Sequence, residues 1–332
     1  MKPALRLALS LGIAAGLLGA LLLVGGIRPA EILAGLGKLS LRVYLTALGL
    51  QVALYAFRAA RFRLLLRPGR RVGLGRLLSI TSAYTMASLV LPAKLGEASF
   101  VVYADRVAGV PATEGTACLL VSRLLDMATL ALGTSVTCLA LWDADAYPGL
   151  PWLGSLGAAL LPMSALLYAA SARGDLVLRL LARLSRLLGI ERTRTGTKLL
   201  GIGERLAGAL RTAGSRRRLT AAALLTVPCW ICIFLFCAVL ARGLGLPETT
   251  TFAEANFATA MAITTSLLPV SAFANFGTLE AGWVLGLHAL GVEPELAAAT
   301  GFGLHLVQIA NAVLLGLLGH VGMALASERA EA

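Results

Sequence analysis

Seven ionisable side chains lie in or beside apolar stretches of this chain: Arg58, Arg61, Lys94, Glu97, Arg123, Asp126 and Glu280. A charged group at the centre of a membrane-spanning helix costs about 2.5 to 3.5 kcal/mol on insertion scales, so each is a functional candidate. Arg123 and Asp126 are three residues apart inside one apolar run, which puts them on one helical face and lets them pair. That pair either meets a ligand or serves only as a bridge holding helices together. Lys94 and Glu97 repeat the spacing just past Pro92, in a segment that cannot all be helix. Glu280 has no basic neighbour in sequence and must be protonated, paired with a distant cation, or facing water. It is the strongest single candidate for a coupling or headgroup-sensing residue. Arg58, Arg61, Lys94 and Arg123 suit an anionic phosphate, while Glu97, Asp126 and Glu280 can orient those cations or meet a cationic group.

The other polar residues carry less chemistry. His288, His305 and His320 are scattered along helical runs with no carboxylate at metal-ligand spacing, and read as core or interface histidines. Cys229-x-x-Cys232 lacks a second Cys or His pair, so these two read as packing residues, like Cys118, Cys138 and Cys237 in their apolar runs. Asp143 and Asp145 share a short loop and read as solvated. No phosphate loop, H-E-x-x-H or G-x-S-x-G motif is present. The expectation is a non-enzyme with no metal, cofactor or ATP drive.

The elements that must position these charges are set by composition. Of 332 residues, 58% are hydrophobic and 14% charged, and the mean hydropathy of +0.83 is that of a membrane protein. The hydropathy excludes the soluble nucleic-acid binder that a net charge of +12 would otherwise suggest, and the charge fits basic loops against an anionic cytoplasmic leaflet. A hydrocarbon core of about 30 Å needs roughly 20 apolar residues of helix. Leu5 to Ile27, Leu39 to Phe57, Thr116 to Trp142, Trp152 to Ala170, Leu219 to Ala241 and Ala298 to Leu325 supply such runs. The first is expected to be a retained anchor rather than a cleaved signal, and its Gly12-x-x-x-Gly16 reads as a packing face.

Two further apolar stretches are broken. One lies near residues 77–105 and carries Pro92 and Gly96; the other lies near 255–292 and carries Pro269, Asn275 and Gly277. Arginines after the second span (Arg58, Arg61, Arg63, Arg67, Arg70, Arg71, Arg76) and twelve basic residues in 173–218 place both blocks in the cytoplasm, with both termini. The broken stretches are then re-entrant hairpins entered from opposite sides. Paired interrupted segments of this kind point to a midplane site of a transporter; two proline-kinked helices of no special role are the alternative. Leu180, Leu184, Leu187 and Leu188, opposed by Arg179, Arg183 and Arg186, describe an amphipathic helix at the cytoplasmic interface. The predicted fold is all-α and polytopic, about six full transmembrane helices plus two inverted hairpins. Residues 1–332 form one transmembrane domain: a first half (1–172), a basic amphipathic segment (173–218) and a second half (219–332).

Four motifs carry a family likeness: Tyr55-Ala-Phe-Arg58-Ala-Ala-Arg61-Phe-Arg63; Leu91-Pro92-Ala-Lys94-Leu-Gly96-Glu97; Ser122-Arg123-Leu-Leu-Asp126; and Leu268-Pro269-Val-Ser271 leading to Gly277-x-x-Glu280. In order and spacing they resemble the lysylphosphatidylglycerol synthase transmembrane, or flippase-like, family over roughly residues 5–325. The resemblance implies a multi-pass bacterial inner-membrane protein that flips an amphipathic lipid: anionic, aminoacylated, or of polyprenyl or hopanoid type. The alternative is a non-transporting scaffold or partner of a lipid-modifying enzyme. Implied partners are the membrane lipid, a lipid-synthesising enzyme, or a second copy of the chain. No soluble aminoacyl-transferase domain is read in these residues, so only the translocating half is expected. Three departures bear on headgroup preference: Phe100 where relatives often have Arg, Ser122 where they have Glu, and Asn275 where they have Gly.

Overall fold

A computed structural model describes residues 39–67, 69–70, 72–90, 96–142, 147, 150–172, 216–267 and 276–331, with isolated positions 37, 183, 186, 189, 193, 197, 201, 204 and 208. The expected first span, the Asp143/Asp145 loop, most of the amphipathic segment, and Pro92, Lys94, Pro269 and Asn275 lie outside these residues.

The described elements are helices: α1 (Leu41–Leu65), α2 (Leu74–Val90), α3 (Ala98–Ala108), α4 (Ala112–Ala140), α5 (Leu153–Ala172), α6 (Arg216–Gly243), α7 (Phe252–Ser266), α8 (Thr278–Ala289) and α9 (Pro294–Glu331). Four contain stretches long and apolar enough to cross a membrane: Leu41–Leu65, Ala112–Ala140, Arg216–Gly243 and Pro294–Leu325. α5 adds a shorter apolar helix, Leu153–Ala169. Large side chains such as Leu224, Ile231, Leu317 and Leu318 are exposed, as surfaces bathed by lipid are. The chain is an all-α, multi-pass membrane protein.

Local signals set the boundaries. The Ser40 hydroxyl caps α1 by accepting from the Val43 amide at 3.3 Å. Thr251 and Glu254 form a reciprocal capping box at the start of α7. α3 stops at Gly109, whose left-handed φ of 60° closes the helix.

The order of elements repeats. Long helix, broken hairpin and long helix occur first as α1, α2–α3 and α4, then as α6, α7–α8 and α9. α1 and α6 run antiparallel: Val43 abuts Gly243, Leu54 and Tyr55 pack with Cys229 and Cys232, and the Arg218 guanidinium donates to the Arg63 carbonyl at 3.3 Å. The two hairpins are therefore entered from opposite ends of the bundle. The first returns to the end it left, because Ala104 and Val110 share a core with Leu66 and Val72 and Arg70 donates to the Gly109 carbonyl at 2.7 Å. The second does the same at the other end, where Leu244, Leu246, Leu287 and Ala297 pack together. The inverted hairpins expected from the arginine bias and the prolines are present, and neither broken stretch is a kinked span.

Glycine makes each hairpin tight. A methyl at Gly96 would run into the Ala87 carbonyl, and one at Gly286 would stand 2.7 Å from the Ala258 Cα. Gly316 and Gly319 on α9 let Met86 and Ser82 of α2 approach in the same way.

Candidate functional site

The two hairpins and the helices around them border a cavity of about 250 Å³, lined from α1, α2, α4, α6, α7, α8 and α9. Its apolar wall includes Leu54, Met127, Ile233 and Phe236; its polar wall includes Arg58, Glu97, Arg123, Asp126, Thr85, Ser88 and Gln308. Four of the seven ionisable candidates thus meet at one place.

Their pairing crosses helices. The Arg123 guanidinium donates from Nε to Glu97 Oε2 at 3.0 Å, and its Nη2 lies 2.9 Å from Glu97 Oε1, joining α4 to the start of α3 by a two-pronged contact. Arg61 grips Asp126 likewise, Nη1 to Oδ1 at 2.5 Å and Nη2 to Oδ2 at 3.2 Å, and also donates to the Thr226 hydroxyl of α6 at 3.2 Å. Arg123 and Asp126 do face each other as their spacing predicts, but only at 3.5 Å; each has a closer partner on another element. The two bridges sit in different surroundings. The Arg61 and Asp126 side chains are 1% and 7% exposed, whereas those of Arg123 and Glu97 are 37% and 26% exposed. Arg58 lines the cavity and makes no ion pair among the described residues.

Glu280 lies elsewhere. Its carboxylate accepts from the Gly277 amide at 2.7 Å, capping α8, and meets His305 Nδ1 at 2.5 Å. Both side chains are buried, 3% and 1% exposed, and neither lines the cavity. Of the three states open to Glu280, burial removes the water-facing one, and its partner is His305 on α9. Gly277 has a φ of 87° that only glycine adopts readily. Two of the departing positions are core: Phe100 is fully buried and stacks on Phe62 at 4.2 Å, and Ser122 donates to the Cys118 carbonyl of its own helix at 2.9 Å.

Thr226 and His305 are the partners that sequence reading missed. Each is joined to its carboxylate or guanidinium across 165 and 25 positions, respectively, and no local spacing announces either. Among the described residues no cluster of His, Cys, Asp and Glu could hold a metal ion.

The family description "Lysylphosphatidylglycerol synthase TM region" matches residues 5–316. The chain belongs to that family. No curated protein matches it. Membership in the lysylphosphatidylglycerol synthase transmembrane family makes this a membrane protein linked to lipid modification or lipid flipping.

Proposed function

We propose that this protein is a transporter rather than an enzyme, and that it moves a phosphate-bearing amphipathic lipid between leaflets of the cytoplasmic membrane with the headgroup in the cavity and the tails in lipid. The observation that carries this reading is the charged wall formed by Arg58, Glu97, Arg123 and Asp126 in a cavity bordered by the two hairpins of a membrane-spanning bundle. A headgroup crossing hydrocarbon loses its water; guanidinium and hydroxyl groups that replace the lost hydrogen bonds lower that cost. Arg123 is held by Glu97 at the more exposed bridge and can exchange part of that contact for a phosphate, whereas Arg61, dry behind Asp126, holds the wall in place. The arginine-rich ends of α1 and α6 face the cytoplasm in this reading. The 173–218 segment, with its arginines, would rest on the anionic leaflet.

The test is lipid movement in vesicles reconstituted with the purified full chain, read by chemical quenching of a tail-labelled fluorescent lipid on the outer leaflet. Wild-type protein should let more than half of the label be quenched, and Arg123→Ala should return the quenched share to the protein-free half. If no labelled phospholipid of any charge crosses faster than in protein-free vesicles, the transport reading fails and the scaffold alternative takes its place.

A further inference from the structure

We propose that the cavity selects lipids of net charge −1, a phosphodiester whose remaining headgroup is uncharged and polar, and that Arg58 is the residue that sets this preference. The proposal rests on the transport reading above and deepens it.

It follows from counting charges that are already spent. Both oxygens of Glu97 are held by Arg123, at 3.0 and 2.9 Å, and both oxygens of Asp126 by Arg61, at 2.5 and 3.2 Å. The negative charge of each carboxylate is thus already balanced by a guanidinium, and an incoming ammonium group meets no net negative charge on this wall. Three guanidinium groups face two carboxylates, and the excess positive charge belongs to Arg58, which lines the cavity without an ion-pair partner among the described residues.

A monoanionic phosphodiester cancels the excess and can bind guanidinium through two oxygens. A zwitterionic lipid brings its own cation into a wall with no uncommitted anion. An aminoacylated lipid of net charge +1, one of the headgroups implied by the family resemblance, adds to the excess instead of cancelling it, in surroundings where like charges are poorly screened. The polar remainder of the headgroup finds acceptors. Thr85 and Ser88 line the cavity, and each spends its hydroxyl hydrogen on its own helix, on Thr81 O at 2.7 Å and Tyr84 O at 2.9 Å. What remains on each oxygen is a lone pair, which matches a hydroxyl donor on the headgroup.

The experiment compares tail-labelled phosphatidylglycerol (−1), phosphatidylcholine (0) and lysyl-phosphatidylglycerol (+1) as trace lipids in proteoliposomes of fixed composition. Phosphatidylglycerol should cross faster than either of the others by about tenfold, equivalent to 1.4 kcal/mol. In Arg58→Gln the ratio of phosphatidylglycerol to phosphatidylcholine rates should fall toward one, and in Arg58→Lys it should stay above it. Equal rates in the wild type, or faster movement of the lysyl lipid, overturn the charge assignment while leaving transport standing. If no lipid moves, transport fails and the assignment is judged by binding: short-chain phosphatidylglycerol, but neither short-chain phosphatidylcholine nor inorganic phosphate, should raise the thermal unfolding temperature in detergent, with the rise absent in Arg58→Gln. Equal stabilisation by phosphate alone would make this a soluble-anion site and overturn the proposal.

Discussion

The two hairpins are built alike and treat their carboxylates differently. In the first, Glu97 follows Gly96, sits at the N-terminus of α3 without capping it, and reaches across to Arg123 on the cavity wall. In the second, Glu280 stands three residues past Gly277, turns back to cap α8, and is sealed against His305. One charge is left half-wet where a ligand can compete for its partner; the other is dry and gives α8 its start. The same contrast separates Arg123–Glu97 from Arg61–Asp126 on α4, whose exposures differ several-fold. A membrane protein keeps a charge by pairing it or by turning it to a water-filled cavity, and what distinguishes the two pairs is whether water, and hence a headgroup, can reach them.

If dry pairs carry stability and wet pairs carry function, the largest effect belongs to Asp126. Asp126→Ala leaves Arg61 buried without its carboxylate, and thermal or denaturant unfolding in detergent should show a loss of about 3 to 5 kcal/mol. Replacing Arg61 and Asp126 together by apolar residues of similar volume should restore much of it. A double replacement no more stable than Asp126→Ala would show that the bridge is not a closed unit.

Glu280→Ala comes next. It removes a cap and leaves His305 without its partner, a loss of about 2 to 3 kcal/mol in the same measurement, while Glu280→Gln, which keeps an acceptor for the Gly277 amide, should lose less. Lipid movement by Glu280→Gln at a temperature where it stays folded should match the wild type. A stable but transport-dead Glu280→Gln would erase the distinction between the hairpins and return Glu280 to the site.

The glycines test the shared part of the comparison. Gly96→Ala drives a methyl into Ala87, and Gly286→Ala places one 2.7 Å from the Ala258 Cα; each should cost about 1 to 3 kcal/mol of unfolding free energy through overpacking. Sensitivity in one hairpin alone would mean that the repeated order of elements is not matched by repeated packing.

Much of this architecture is legible in the sequence because its causes are local. Runs of about 20 apolar residues, prolines inside apolar stretches, and arginines such as Arg58 to Arg76 on one side predict the spans, both hairpins and their opposite orientation. The sequence groups Arg58, Glu97, Arg123 and Asp126 with Arg61, Lys94 and Glu280 as one set of candidates; the first four line the cavity, and Glu280 does not. The partners were not. A three-residue spacing reports neighbours on one helix, so it couples Arg123 to Asp126 and says nothing of Arg61, which is 65 positions from Asp126 and binds it more closely. Glu280 looked unpaired for the same reason: its histidine is on the next helix, where a lone His in an apolar run reads as core.

The smallest stability effect is expected at Glu97, and it divides the two hairpins most sharply. Its bridge to Arg123 is 26% and 37% exposed at its two ends, and partly solvated pairs contribute roughly 1 kcal/mol or less, so Glu97→Gln should unfold within about 1 kcal/mol of the parent. Transport should respond far more than stability. Without the carboxylate, Arg123 is free to hold a phosphate that it would otherwise share, and a site that binds the headgroup more tightly in the ground state releases it more slowly. Movement of phosphatidylglycerol should therefore slow while its stabilising effect on the folded protein in detergent grows. A Glu97→Gln protein that is destabilised as much as Glu280→Ala, or that transports like the wild type, would show the first hairpin's carboxylate to be a structural group like the second's.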